Sequence, residues 1–301
     1  MATYNGAKFI EEQIDSIINQ SYKNWELIIH DDGSKDSTIE IVRKLCRKDK
    51  RICLIEDNIV FGNAAENFMH LVQIVDGDLF MFADQDDIWY SDKIENMLNY
   101  MNQGRLKNPK VVFSAAMVWD GKKELYIQRN LPIGTKSILF SNCGIQGASS
   151  MFNKEILLLL KRWKGPLSMH DHLLTLLACF CGELSYCPEV LMKYRKHPNA
   201  VTIKARSNNI LLNLIRGRKE NVIDTCHFKT ICNFYKIYNN VISENDKRLI
   251  RDFIKMPEES FLCRCLTIVR NKFNIHNSTL LLLFKICIRS FCKKDLKKTK
   301  I

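Results

Sequence analysis

The run Leu79-Phe80-Met81-Phe82-Ala83 leads directly into Asp84-Gln85-Asp86-Asp87, and this junction constrains the fold more than any other stretch of the chain. A short apolar run bounded by polar residues reads as a buried strand. Its far end then receives three carboxylates. Two carboxylates ~5 Å apart repel by about 3 kcal/mol at an effective dielectric near 20. A fold that tolerates this places a cation or a donor group between them. For Asp87 or Asp92 alone, the positive end of a helix starting near Ser91 is reason enough. Asp84 and Asp86, two apart after a strand, read instead as metal ligands. Oxygen-only ligands select a hard cation, Mg²⁺ or Mn²⁺. With so few protein ligands, the remaining positions go to water or to a substrate phosphate, which points to chemistry at a phosphate-bearing substrate.

The surrounding sequence alternates strand and helix signals. Strands are predicted at Glu26–His30, Arg51–Ile55, Leu79–Ala83 and Val111–Met117. Between them, Ile39, Val42 and Leu45 recur at helical spacing after a cap at Ser34 or Asp36. Asn63–Val75 and Ser91–Asn102 read as further helices, and Leu173–Phe180 as an apolar helical run. Strands separated by helices predict an α/β fold with a mostly parallel, Rossmann-like sheet. Ligands of such sheets lie beyond the carboxyl ends of the strands, where Asp31 and Asp32 also collect.

Charge divides the chain. Residues 201–301 hold 21 Lys+Arg against 8 Asp+Glu, whereas residues 1–200 hold 24 against 25. This predicts a near-neutral body, 1–203, and a basic helical extension, 204–301, with the break near "KHPNAVTIKARSNN". No apolar run approaches the ~18 residues of a membrane span, and "MATYNGAKF" lacks a signal-peptide core. The 12 cysteines show no zinc-finger spacing and read as reduced thiols of a cytoplasmic protein. The final stretch, "NSTLLLLFKICIRSFCKKDLKKTKI", can lie on an anionic membrane surface or pack as a helical subdomain with a solvated lysine end.

No GxxxxGK[ST] loop is present, so an ordinary P-loop phosphoryl transferase is excluded. "MATYNGAKFIEEQIDSIINQSYKNWELIIHDDGSKDST", followed by "FADQDDIW", resembles glycosyltransferase family 2, and within it the bacterial rhamnosyltransferase-like members of surface polysaccharide synthesis. "GIQGASSMFN", "MHDHLLTLLACFCGELSY" and "YRKH" extend the resemblance through residues 1–203. It implies a GT-A nucleotide-sugar-binding fold and metal-dependent, inverting transfer of a sugar from a nucleotide diphosphate to a saccharide or lipid-linked saccharide.

By the same resemblance, Thr3, Tyr4 and Asn5 line the nucleotide pocket, Asp32 contacts the base, Asp84 lies near the ribose and Asp86 holds the metal. Gln146 and Gly147 lie near the donor sugar. Asp171 matches the catalytic base, a position that a helix N-cap would also suit. His172 borders the acceptor pocket, and Trp89 is either a wall of the sugar pocket or a core residue. Arg195 and His197 can reach phosphate or metal, or can belong to a solvated basic loop. Members of the family begin several apolar residues earlier, so the first strand is expected to be truncated at Met1. A nucleotidyltransferase on sugar phosphates is the nearest rival, but "ATYNGAKF" is a poor match to its Gly-rich basic loop. A nucleic-acid-binding protein using the basic extension is a rival of another class; no recognisable nucleic-acid module is present.

Overall fold

The computed structural model describes residues 1–103, 108–129, 134–141, 145–197 and 221–292. In chain order the first elements are β1 (Ala2–Thr3), α1 (Ile10–Ile18), β2 (Leu27–Asp31), α2 (Thr38–Lys48), β3 (Ile52–Ile55), α3 (Ala64–Ile74), β4 (Leu79–Met81), β5 (Ile88–Trp89) and α4 (Lys93–Met101). Then come β6 (Lys110–Trp119), β7 (Glu124–Gln128), α5 (Thr135–Ile138), β8 (Ser150–Asn153), α6 (Lys154–Lys161), α7 (His170–Cys181) and β9 (Glu183–Arg195). Among the described residues that follow are the helices α8 (Thr225–Tyr238), α9 (Glu244–Lys255), α10 (Phe261–Asn271) and α11 (Thr279–Ile288).

Contacts divide the chain into two compact units: Met1–Pro132, Ile145–Lys161 and Gly182–Ile203 form the first, and Ile133–Gly144, Arg162–Cys181 and Lys204–Ile301 the second. The division differs from a single cut at 203, because α5 and α7 group with the C-terminal helices. The reason is the composition of α7. Its Leu173, Leu174, Leu176 and Leu177 are all buried, and a helix apolar on every side needs helical neighbours around it. Phe180 packs on Phe234 of α8 with ring centroids 5.8 Å apart. Of the expected break near 196–209, residues 198–209 lie outside the described residues.

The first unit holds two sheets. One is parallel, in the order β1-β2-β3. Ile10, Ile14 and Ile17 of α1 and Val42 and Leu45 of α2 are buried in its core, while Ile39, the third α2 residue read at helical spacing, is only half-buried. Strand β1 is two residues long, and the Met1 amino group donates to Ile28 O at 2.6 Å. Burial lowers that amine to about 5, opposed by the charge of Asp84. Helix α3 starts where its sequence predicts: Asn63 Oδ1 accepts from Glu66 N at 2.9 Å, a cap worth about 1 kcal/mol. At α2 the cap differs. Asp36 takes Thr38 N at 3.0 Å and Ala7 N at 3.1 Å, so one carboxylate ties the helix entry to the β1–α1 loop.

The second sheet runs β4-β8-β6-β9-β5, with β7 added on β6. It is mixed: β6 and β9 are parallel, and the other pairs are antiparallel. The α/β architecture holds, with parallel pairing among the described strands at β1-β2-β3 and β6–β9. Strand β4 pairs with β8, where the Phe80 and Phe82 rings meet Phe152 at 5.6 and 5.1 Å. Buried Lys110 at the start of β6 donates to the carbonyls of Tyr100, Met101 and Gln103, closing the C-terminal end of α4 with a positive charge.

In the second unit, α7 packs with α8, and Phe140 meets Phe253 and Phe273 with centroids 5.1 and 5.2 Å apart. No helix among the described residues is long and apolar enough to cross a membrane. The described cysteines are free thiols.

Candidate active site

Four chain segments converge in the first unit: the ends of β1 and β2, the acidic loop after β4, and the end of β9. Thr3 Oγ1 donates to Asp31 Oδ2 at 2.7 Å, and Ser34 N and Oγ donate to the same carboxylate, each at 2.7 Å. Ser34 Oγ in turn accepts from Asn5 N at 2.7 Å, and Asn5 Oδ1 from Lys35 N at 2.8 Å. The side chains of Thr3 and Asn5 therefore stitch the β1 and β2 ends together. Asn5 adopts φ of 48°, a left-handed conformation that Asn tolerates. Between them, Tyr4 is 52% exposed and available to a planar ligand. Asp32 is buried, and its Oδ1 accepts from Phe61 N at 2.5 Å.

The acidic loop is clamped to β1 through its middle residue. Gln85 Oε1 accepts from Tyr4 N, and Gln85 Nε2 donates to Tyr4 O, both at 2.9 Å. A Cβ at Gly6 would stand 2.2 Å from Gln85 Oε1, so the clamp requires glycine there. His197 Nε2 meets Asp86 Oδ2 at 2.7 Å. Arg195 lies alongside. Its Nε donates to Asp86 O at 2.7 Å, its Nη2 to Glu12 Oε2 at 2.5 Å, and its guanidinium covers the Trp119 ring at 4.3 Å and the Phe9 ring at 4.7 Å.

Behind this loop Asp87 is fully buried. Its Oδ1 accepts from Arg195 N at 3.2 Å, while Oδ2 has no hydrogen-bond partner. Burial, then the charges of Asp84 and Asp86, hold its carboxyl well above the usual range. Buried Lys93 compensates in part: Nζ donates to Ala148 O at 2.6 Å and sits 4.0 Å over the Trp89 ring. Burial pulls its ammonium down to about 7, opposed by Asp87 and Asp84. The negative potential that Asp84 and Asp86 place on Asp87 is what a divalent cation would relieve. The carboxylates of Asp84 and Asp86 are the oxygen donors here that suit Mg²⁺ or Mn²⁺, and His197 holds Asp86 in place.

Residues 1–158 match the family described as Glycosyl transferase family 2. The chain belongs to that family. This family 2 glycosyltransferase is 42% identical over 106 residues to an uncharacterized glycosyltransferase of Haemophilus influenzae, spanning 35% of its own length and 42% of that relative's. It is 30% identical over 235 residues to the dTDP-rhamnosyl transferase RfbG of Shigella flexneri, 72% of this chain and 80% of that one. Among solved structures, S. aureus TarS 1-349 in complex with UDP-GlcNAc superposes with a TM-score of 0.55 at 14% identity, covering 96% of this chain and 90% of that one. A mannosyltransferase from Pyrobaculum calidifontis, in complex with GDP-Man and Mn²⁺, gives 0.50 at 14% identity, covering 95% and 84%. At these identities the likeness is one of fold, the GT-A glycosyltransferase fold.

The structure of this glycosyltransferase brings Thr3, Tyr4, Asn5, Asp32, Asp84, Asp86, Arg195 and His197 into one region of the first unit. Arg195 corrects one alternative: its guanidinium is buried and held by Glu12, Asp86 O and two rings, so it is no part of a solvated basic loop. Trp89 is a core residue under Lys93. Gln146 and Gly147 open a 3₁₀ turn in which Gly147 O accepts from Ser150 Oγ at 2.6 Å. Asp171 is the second residue of α7, in the second unit. Gln85, Gly6, Glu12 and Lys93 escaped the sequence reading. Gln85 alone carried a signal, as the middle residue of the acidic motif.

His172 corrects a second expectation. It has no exposed surface, its ring lies 4.7 Å from that of His227, and its Nδ1 is 3.2 Å from Ser168 Oγ, so it packs the second unit instead of meeting an acceptor. Burial lowers His170 to about 3, His172 well below its ordinary value, and His227 as well. The unfolded chain therefore binds more protons than the folded one below the ordinary pKa near 6.5, and stability falls as pH falls through that value. His170 and His172 together should cost about 2 kcal/mol between pH 6.5 and 5.5. Hydrogen exchange along α7 and α8, corrected for intrinsic rates, should accelerate over this interval; unchanged protection would refute neutral burial.

Proposed function

We propose that this family 2 glycosyltransferase moves a sugar from a nucleoside diphosphate to a saccharide hydroxyl, with Mg²⁺ or Mn²⁺, in the synthesis of a bacterial surface polysaccharide. The observation that carries the reading is the meeting of His197 with Asp86 in a loop bolted to the exposed Tyr4. Tyr4 stacks on the nucleobase and Asp32 contacts its edge. Asp84 and Asp86 would hold the cation, with His197 against Asp86, and the cation would offset the charge that develops on the leaving diphosphate. Asp171, carried over from the family resemblance, is the proposed base for the acceptor hydroxyl in an inverting displacement. The RfbG relative makes dTDP-rhamnose the first donor to test.

A screen of dTDP-, UDP- and GDP-sugars for release of the nucleoside diphosphate, with and without Mg²⁺ or Mn²⁺, tests the reading. Metal-dependent release from one donor supports it. Release from none, by folded protein, opposes it. Pyrophosphate release from a nucleoside triphosphate and a sugar phosphate would favour a nucleotidyltransferase instead.

The acceptor we propose is lipid-linked, with the enzyme at the inner face of the membrane. Leu262, Leu266 and Val269 form one exposed apolar stripe on α10, and Leu280 and Phe284 are exposed on α11. The Lys-rich end, 293–301, lies outside the described residues. Such a surface binds vesicles by apolar contact and by attraction to anionic headgroups. Cosedimentation should be strong with anionic vesicles, weaker in high salt, and absent with zwitterionic ones. Equal partition into both would remove the electrostatic part of the proposal.

A further inference from the structure

A second cluster of ligating side chains lies apart from the acidic loop. His30 is buried in β2, Asp57 follows β3, and His70 faces them from α3. His30 Nε2 is 3.0 Å from Asp57 Oδ1, and His70 Nε2 is 2.6 Å from Asp57 Oδ2. One ligating atom from each of the three lies within 4.8 Å of the others.

The tautomer of His30 is fixed from behind. Asn67 Nδ2 donates to His30 O at 3.3 Å, which turns Asn67 Oδ1 toward His30 Nδ1 at 2.7 Å. An amide oxygen only accepts, so Nδ1 carries the proton. The Nε2 atom of a neutral His30 is then a lone pair aimed at a carboxylate oxygen. Two acceptors at that separation need a positive centre between them, either a second proton on a buried ring or a metal ion. A hydrogen-bonded second partner on the far nitrogen is also how metal-bound histidines are usually oriented. Two imidazoles and one carboxylate form a borderline donor set, suited to zinc and its neighbours rather than to magnesium.

We propose that His30, Asp57 and His70 bind a divalent transition-metal ion, with zinc as the first candidate, at a site separate from Asp84 and Asp86. The Asp57 and His70 side chains are 28% and 18% exposed, so an ion can enter from solvent and keep water on its remaining positions. The site also has an address. The Phe61 ring packs 5.9 Å from His30 and 5.2 Å from His70, and Phe61 N is the donor to Asp32. Zinc therefore fastens the 57–61 segment and, through it, the Asp32 carboxylate. This last link rests on the proposed donor site; binding of the metal does not.

The test is zinc titration into chelator-treated full-length protein, by competition with a chromophoric chelator, for the wild type and for Asp86→Asn, His70→Ala and Asp57→Asn. Circular dichroism of each variant establishes that it is folded. One zinc per chain is expected in the wild type and in Asp86→Asn. In His70→Ala, loss of a direct ligand should exceed the roughly 10–100-fold that outer-shell changes cost. Asp57→Asn keeps the shape and should lose affinity likewise. No stoichiometric zinc in the wild type, equal binding by all four proteins, or loss confined to Asp86→Asn would each overturn the site. Failure of every nucleotide sugar as donor would leave the zinc result intact and strike only the link to Asp32.

Discussion

Asp86→Ala should lower metal-dependent turnover of the donor by about 10²–10³-fold, the size seen when a charge-stabilising group is removed from an active site. The substitution is selective. Arg195 Nε is held by the Asp86 carbonyl, which alanine keeps. The lost group is the carboxylate that meets His197 Nε2. The side chain is 17% exposed, so the variant leaves no large cavity. Two measurements separate its effect from misfolding. The melting temperature without ligand should change little, and the stabilisation that Mn²⁺ plus a nucleoside diphosphate gives the wild type should disappear. Undiminished metal-dependent stabilisation in Asp86→Ala would remove Asp86 from the cation site.

Asp171→Asn should behave in the opposite way. General-base catalysis contributes about 10²–10⁴-fold, so transfer to an acceptor should fall by that factor while donor binding stays at the wild-type level. Asparagine keeps the size of the side chain in the first turn of α7, but it cannot take a proton. An N-cap role alone predicts a variant with normal kcat. Wild-type transfer by Asp171→Asn would therefore assign the base elsewhere.

The elements that were legible in the sequence are those whose signal is local. Asn63 announced the start of α3 because a cap acts within one helical turn, and the spacing of Ile39, Val42 and Leu45 marked α2 because burial of one face is periodic. The acidic motif after β4 was legible for the same reason: carboxylates beyond an apolar run are unusual wherever they occur. Partners distant in the chain were not. Nothing near Leu79–Met81 says that β8, some seventy residues later, will pair with it antiparallel. Lys93 and Lys110 look like surface lysines on composition alone, yet both are buried where backbone carbonyls gather. Arg195 carries the charge of a phosphate ligand, and only the folded chain reveals that Glu12, Phe9 and Trp119 hold it first. His172 stands beside a candidate base in the sequence, but a helix sends adjacent residues in different directions.

The planar amide of Gln85 behaves as one rung of backbone. Donor and acceptor on a single rigid group match the NH and CO of Tyr4, where a neighbouring strand would ordinarily supply them. The middle letter of Asp-x-Asp is thus not free in this protein. Asparagine carries the same amide on a stem one carbon shorter, and glutamate lacks the donor. Either change would uncouple the segment that presents Tyr4 from the segment that presents Asp86, and a ligand spanning both would lose its ruler.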